Sequence, residues 1–385
     1  MTDISQALPG FGDFDGRTWL NTAHQGALPL VAADAARDAI SWKVAPFELT
    51  TERFSGVPAR LRAVLGRLLD VPSDEVILGN SASYGLHLVA SAFPWQEGDE
   101  VLVMEGDFPS DILPWLLMER RHGVKVVRIR PRGRVVEPDE LAAAITSRTR
   151  VFCTTWVHSF SGFAVDLDAL GTICREHGVS FVINGSQALG ARSFNLTEAP
   201  VDAFTCVGHK WLCGPYGTGF AWLRPEFRDR LHPIKAYWLS MQTAEDLGKE
   251  LVEVELREGL GARAYDVFGT ANFLNFVPFT AAVQHIVDLG LERIRVHDQA
   301  LVTRFIEGLD KDHFMITSPT EPGPRRSTLI FFSHRDAGRN QQVYAALSRQ
   351  GIHFAFRAGS LRLSPHLYNT SIDIERALDV LTRER

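Results

Sequence analysis

Gly208-His209-Lys210-Trp211-Leu212-Cys213-Gly214-Pro215-Tyr216-Gly217-Thr218-Gly219 is the stretch around which the chain is organised, and Lys210 is its chemical centre. Gly208 before the lysine and Gly214, Gly217 and Gly219 after it let the backbone bend sharply and let a bulky ligand come close. Lysine condenses with an aldehyde to give a Schiff base. An amine held beside aromatic and glycine-rich surroundings loses its proton more easily than one in water. Taken alone, the stretch also fits a solvated lysine beside a tight turn, so its context decides.

Outward from that loop the chain alternates short β-rich runs with amphipathic helices. The runs are Val76 to Leu78, Val101 to Met104, Val124 to Ile129, Val151 to Thr154, Val179 to Ile183, Ala203 to Val207 and Gly219 to Leu223. Leu167, Leu170, Ile173 and Cys174 mark a helix opened by Asp166 and closed near Gly178. Strands separated by helices predict an α/β fold with a mostly parallel, seven-stranded sheet covered on both faces. In such sheets ligands bind beyond the carboxyl ends of the strands. Upstream, Val57, Leu61, Val64, Leu65, Leu68 and Leu69 recur at helical spacing. Thr18 to Pro29 reads as a short strand closing on a Gly/Pro turn, either a plain surface turn or an arm over a pocket. Beyond Pro225 the rhythm is lost, and Thr328 to Phe332 with a helix from Ser371 suggests a smaller α+β unit. The expected division is an N-terminal arm over 1–30, a large domain over 31–250 and a small C-terminal domain over 251–385.

A chain of 385 residues with 45% hydrophobic content can bury both units. A net charge of −6 and no Lys/Arg-rich run argue against nucleic acid or an anionic membrane as partner. No apolar run reaches the roughly 18 residues of a spanning helix, and the start of the chain lacks a secretory pattern, so the expected location is cytoplasmic. Cys153, Cys174, Cys206 and Cys213 show neither CxxC nor zinc-type spacing, which points to reduced thiols and no metal. Cys213, beside the lysine, is the one worth testing for reactivity.

The strand-to-helix junctions carry the remaining candidates. Gly79-Asn80-Ser81-Ala82-Ser83-Tyr84-Gly85 follows a strand and opens a helix, so its free N–H groups and positive dipole end can hold a phosphate, although such residues also serve as simple caps. Asn184, 26 positions before Lys210, closes another strand within Asn184-Gly185-Ser186-Gln187. An amide there can donate or accept a hydrogen bond but cannot carry the charge that keeps a ring nitrogen protonated. Phe108 can cover one face of an aromatic cofactor or belong to the core. Asp107 beside it reads as a turn residue. No GxGxxG follows the first strand of the sheet, which sets a nicotinamide-dependent oxidoreductase aside.

Together, Lys210 within its glycine-rich loop, the Asn-Gly-Ser-Gln turn and Arg362-Leu-Ser-Pro-His-Leu-Tyr-Asn369-Thr resemble the class V aminotransferase family. Its members use pyridoxal 5′-phosphate (PLP) on fold type I and include cysteine desulfurases, isopenicillin N epimerase-like enzymes, kynureninases and carbon–sulfur lyases. The resemblance implies that Lys210 forms the Schiff base and shuttles a proton. It implies that Ala82, Ser83 and His209 hold the phosphate, that Phe108 stacks on the pyridine, and that Gln187 and Ser159 lie near its 3-oxygen. Arg362, assisted by Arg357, pairs with the carboxylate of an amino-acid substrate, with Asn21 and His158 on the substrate side. Thr270 matches a residue donated to the partner's phosphate, which implies a homodimer.

Two departures shape the expected chemistry. Ala358-Gly359-Ser360-Leu361 occupies the stretch where the family's desulfurases carry a persulfide-forming cysteine, so that mechanism is not expected. Asn184 stands where the family places an Asp against the pyridine nitrogen, which leaves the ring a weaker electron sink. The expectation is Cα deprotonation by Lys210 followed by β-elimination, of a carbon–sulfur bond, or epimerisation. Transamination is the alternative, and a catalytically silent PLP-binding relative is a third reading.

Overall fold

The structure is a computed structural model that describes residues 4–232, 234–242 and 254–384. All seven expected β-rich runs are strands of one sheet. In chain order they are β2 (Val76–Gly79), β3 (Glu100–Met104), β4 (Lys125–Ile129), β5 (Thr149–Thr155), β6 (Ser180–Asn184), β7 (Ala203–Val207) and β8 (Gly219–Leu223), following β1 (Thr18–Trp19). Their order across the sheet is β2-β8-β7-β6-β5-β3-β4. Only β8 runs antiparallel to its neighbours, so the other strands end at the same edge.

Alternation along each strand sends side chains to two different cores. Phe152, Phe181, Phe204 and Phe220 pack on one face, with the Phe152 and Phe181 rings parallel at 5.5 Å. Val101, Val103, Val151 and Val182 pack on the other. Each buried Phe stabilises the fold by roughly 1.5–3 kcal/mol, which makes the sheet the rigid platform for whatever its loops carry.

The helix Thr51–Leu69 buries all six residues expected at its apolar spacing. Thr50 caps it by accepting from the Arg53 N–H, and Asp70 ends it in the left-handed region. The helix Leu167–Glu176 is opened by Asp166, as the sequence predicts, and the chain leaves it through Gly178 at φ +67°. The C-terminal helix Ser371–Arg383 starts with a Thr370/Asp373 capping box.

A second, antiparallel sheet lies C-terminal, in the order β12-β13-β10-β9. It comprises β9 (Phe314–Ile316), β10 (Ile330–His334), β12 (Ala355–Arg357) and β13 (Ser360–Leu363). The expected strand Thr328 to Phe332 is therefore found displaced by two residues. Between these strands, β11 (Ile352–His353) pairs in parallel with β1, so the N-terminal stretch is tied to the C-terminal unit. The expected boundary between residues 250 and 251 lies outside the described residues.

Candidate active site

The carboxyl ends of β3, β5, β6 and β7 surround a cavity of about 460 Å³ lined by Lys210, Asn184, Gln187, Phe108, Ala82, Ser83, Ser159, His209, Arg357 and Arg362. It is formed where an open α/β sheet is expected to bind a ligand. Lys210 is delivered by the turn after β7. That turn runs through Cys213 at φ +52°, a conformation that L residues rarely adopt, and through Gly217 at φ +85°. A Cβ on Gly26, in the N-terminal stretch, would stand 2.0 Å from the Lys210 carbonyl oxygen, and Gly26 N–H donates to the His209 carbonyl at 2.8 Å. The stretch after β1 is thus an arm against the lysine loop, and its Ala23, His24 and Gln25 line the cavity.

Burial pushes the Lys210 amine down to about 8, helped by the Arg362 charge and opposed by Cys206 and Asp111. Its Nζ lies 5.7 Å from the centre of the Phe108 ring. His209 is pushed down to about 4, by burial first and by Lys210 second, and its ring lies 4.7 Å from that of Tyr216. Ala82 and Ser83 are the first residues of the helix Ala82–Ala92, which Ser81 caps by accepting from the Tyr84 N–H. Backbone N–H groups at that position have no acceptor within the helix, which suits an anion.

At the mouth, β12 and β13 form a hairpin whose turn residues Ala358 and Gly359 have φ of +48° and +77°. This tight turn puts Arg357 and Arg362 near one another. Arg362 is buried, its Nη2 donates to Asn21 Oδ1 at 3.4 Å, and its Nε has no hydrogen-bond partner. Burial, then Arg357, brings its guanidinium down to about 10. A buried guanidinium with an unused donor is prepared for an anion from outside the chain.

At the floor, the Asn184 amide is held at both ends: Ser186 N–H donates to its Oδ1 at 3.1 Å, and its Nδ2 donates to Asp111 Oδ2 at 3.2 Å. Asp111 is fully buried, and burial, followed by the Asp107 charge, drives its carboxyl well above the usual range. Asp107 is not the solvated turn residue that the sequence suggests. It is buried and accepts from Thr154 Oγ1 at 3.0 Å and from the Thr155 N–H at 3.0 Å. Gln187 is likewise committed, donating to the Ala23 carbonyl and accepting from Trp211 Nε1, both at 3.1 Å.

Three expected residues do not line the cavity; Asn21, the first of them, meets it only through its bond from Arg362. His158 does not line the cavity; its ring bonds Ser161 Oγ at 2.8 Å and donates to the Gly106 carbonyl at 3.1 Å, bracing the loop that carries Phe108. Thr270 lines a separate cleft of about 850 Å³ together with Arg62 and Asp266. Cys213, the thiol singled out for a reactivity test, is buried, and burial drives it upward. Asp111, His24 and Tyr216 belong to the site without having been singled out in the sequence. Asp111 lies in a short Pro-Ser-Asp turn that carries no chemical signature.

Residues 50–376 match the model of the class V aminotransferases, so the chain belongs to that family, and its architecture is fold type I. It is 28% identical over 343 residues to a probable cysteine desulfurase from Xylella fastidiosa (strain Temecula1), covering 84% of this chain and 79% of that protein. It is 26% identical over 383 residues to isopenicillin N epimerase from Streptomyces clavuligerus, covering 95% of each. A solved complex of the cystine C–S lyase C-DES with cysteine persulfide superposes with a TM-score of 0.85 at 20% identity, covering 96% of this chain and 99% of that one. The apo cysteine desulfurase from Thermococcus onnurineus NA1 gives 0.82 at 19%, covering 96% and 94%.

These relatives correct the expected chemistry. The names that recur are cysteine desulfurases, which overturns both the leaning toward elimination or epimerisation, with transamination as alternative, and the exclusion of a desulfurase. That exclusion rested on the four residues Ala358-Gly359-Ser360-Leu361, while the likeness spans most of the chain. Nor is Asn184 an isolated neutral amide. The structure backs that amide with the carboxyl of Asp111. Among the described residues no helix is long and apolar enough to cross a membrane.

Proposed function

We propose that this chain is a PLP-dependent enzyme of the desulfurase kind, which removes sulfur from cysteine and leaves alanine. One observation carries the cofactor and amino-acid part of the reading, a buried lysine amine, lowered to about 8, that shares a cavity with a buried arginine whose Nε is unpartnered, and the recurrence of cysteine desulfurases among its relatives supports the desulfurase part. The residues present fit the cofactor. Lys210 can anchor its aldehyde carbon, the N–H groups of Ala82 and Ser83 with His209 suit its phosphate, and Phe108 offers an aromatic face. Bound there, the cofactor supplies an electron-accepting ring that makes the Cα proton of an amino acid removable.

The chain's own residues do the rest. Arg362 holds the substrate carboxylate through two parallel N–H···O bonds, with Arg357 adding charge at the mouth. Lys210 Nζ takes the proton from Cα and returns a proton to carbon, a task for which an amine near neutrality is suited. In balance, the Cβ–S bond of cysteine breaks, a Cβ–H bond forms, and the sulfur joins a small-molecule thiol from outside the chain as a persulfide, because all four cysteines are buried and none lines the cavity. Cysteine and a thiol become alanine and a persulfide, and no outside oxidant is consumed. The proposal includes a homodimer in which Thr270, in the second cleft, serves the cavity of the other copy.

Purified protein supplied with PLP, L-cysteine and dithiothreitol is expected to yield alanine and sulfide in equal amounts. Pyruvate in place of alanine would refute the desulfurase reading. Borohydride reduction followed by peptide mapping is expected to mark Lys210, and an unmodified Lys210 peptide would refute the cofactor reading itself.

A further inference from the structure

We infer that Asp111 is a positioning residue for the cofactor ring: it fixes the Asn184 amide in one orientation and sets a carboxyl one hydrogen bond behind the group that meets the ring. The inference rests on the PLP reading above and adds a residue to it. Asn184 ends β6 and lines the cavity. Its two ends have partners of opposite kind, the Ser186 N–H at 3.1 Å on the oxygen and the Asp111 carboxyl at 3.2 Å on the nitrogen. Turning the amide over would set its NH₂ against an N–H donor and its carbonyl against a carboxyl oxygen, so a single orientation survives.

Asp111 is a costly way to hold an amide, because burial and the neighbouring Asp107 oppose its ionised form. It is fully buried, and its Oδ1 has no hydrogen-bond partner. A serine or an asparagine could accept from Asn184 without burying an ionisable group. The neighbouring acid does not need the same explanation, because Asp107 has three donors: Thr154 Oγ1 and the Thr155 N–H at 3.0 Å each, and the Phe108 N–H at 2.8 Å. Of the two acids, Asp111 alone is bonded to Asn184, and its charge is also felt at Lys210. The groups facing Asp111 are therefore Asp107, Asn184, Ser110, Lys210 and, from β5, the buried thiol of Cys153.

The test exchanges the two side chains. Asp111→Asn keeps the shape but removes the acid; Asn184→Asp adds a second acid at hydrogen-bond distance from the first, where the pair cannot both ionise. The double variant Asp111→Asn/Asn184→Asp restores one acid and one amide in exchanged places. The readouts are PLP retention, measured as a dissociation constant on the Lys210-bound protein, and the pH midpoint of the bound cofactor's absorbance change. Asp111→Asn is expected to weaken retention about tenfold and to move the midpoint. The exchanged pair is expected to retain PLP better than Asn184→Asp alone.

Wild-type retention and midpoint in Asp111→Asn, or an exchanged pair no better than Asn184→Asp, overturns the inference. So does a lowered apoprotein melting temperature with unchanged retention, which marks a merely structural carboxyl. Failure of borohydride to trap Lys210 in the wild type condemns the cofactor reading instead, so the two failures are distinguishable.

Discussion

The floor and the mouth of the cavity are built from opposite kinds of ionisable group. At the floor two buried carboxyls, Asp107 and Asp111, stand behind a neutral amide; at the mouth Arg357, Arg362 and His24 crowd together without a carboxylate among the residues that line it. Lys210 lies between them and feels both, its amine lowered by Arg362 and raised by Asp111. The difference teaches how one cavity orients a zwitterion. A carboxylate is drawn to the mouth, and a group that must gain or share a proton is drawn to the floor.

The comparison breaks most completely at its midpoint. Lys210→Ala removes the base common to both ends, and exchange of the substrate's Cα hydrogen with deuterium is expected to fall by about 10²–10⁴-fold. Residual exchange at the wild-type rate would show that another group moves the proton. Next, Arg362→Gln removes the buried charge of the mouth. KM for cysteine is expected to rise by about 10–100-fold, from about 1.5–3 kcal/mol of charge-assisted bonding, with kcat less affected.

The same variant carries a pH signature. Arg362 lowers the Lys210 amine, so its loss moves that amine up from about 8 toward the ordinary 10.5, and the rise of rate with pH shifts to higher pH. For stability the sign is the reverse of an ordinary ion pair. A lysine lowered on folding costs stability in full below about pH 8, and the cost fades as pH rises toward 10.5. The apoprotein melting curve is therefore expected to gain more in that window in the wild type than in Arg362→Gln.

Two smaller changes sharpen the picture. Gly26→Ala drives a methyl into the Lys210 carbonyl, and a loss of about 1–3 kcal/mol is expected in denaturant melts together with weaker cofactor retention. An unchanged melt would show that the arm yields freely. Arg357→Ala is expected to do least. Arg357 is exposed, so its field is screened, and KM should change by no more than about fivefold, less at high salt.

The sheet was legible because each strand is a short apolar run bounded by turn residues, and burial on both faces leaves such runs few alternatives. The junctions were legible for the same reason: Asn184 ends a strand, Lys210, Phe108 and Ser83 each follow one, and the sheet brings strand ends together. What escaped is held by contacts distant in sequence. Asp111 announces nothing in its turn, and only the fold sets it against Asn184, 73 positions away. Thr270 resembles a cofactor ligand in sequence, yet within one chain it faces a different cleft. The chemistry is not legible in Ala358-Gly359-Ser360-Leu361 alone, because the likeness to the family extends over residues 50–376.

The pairing of Thr18 with Ile352, and the bond from Arg362 to Asn21 across 341 positions, set a condition on timing. A ribosome releases the arm long before the strand on which it docks. Until residue 362 has emerged, the lysine loop lacks its outer wall and its carboxylate-binding arginine. A growing chain therefore carries an unfinished pocket, and the reactive amine gains its full setting only after the β12–β13 hairpin has left the ribosome.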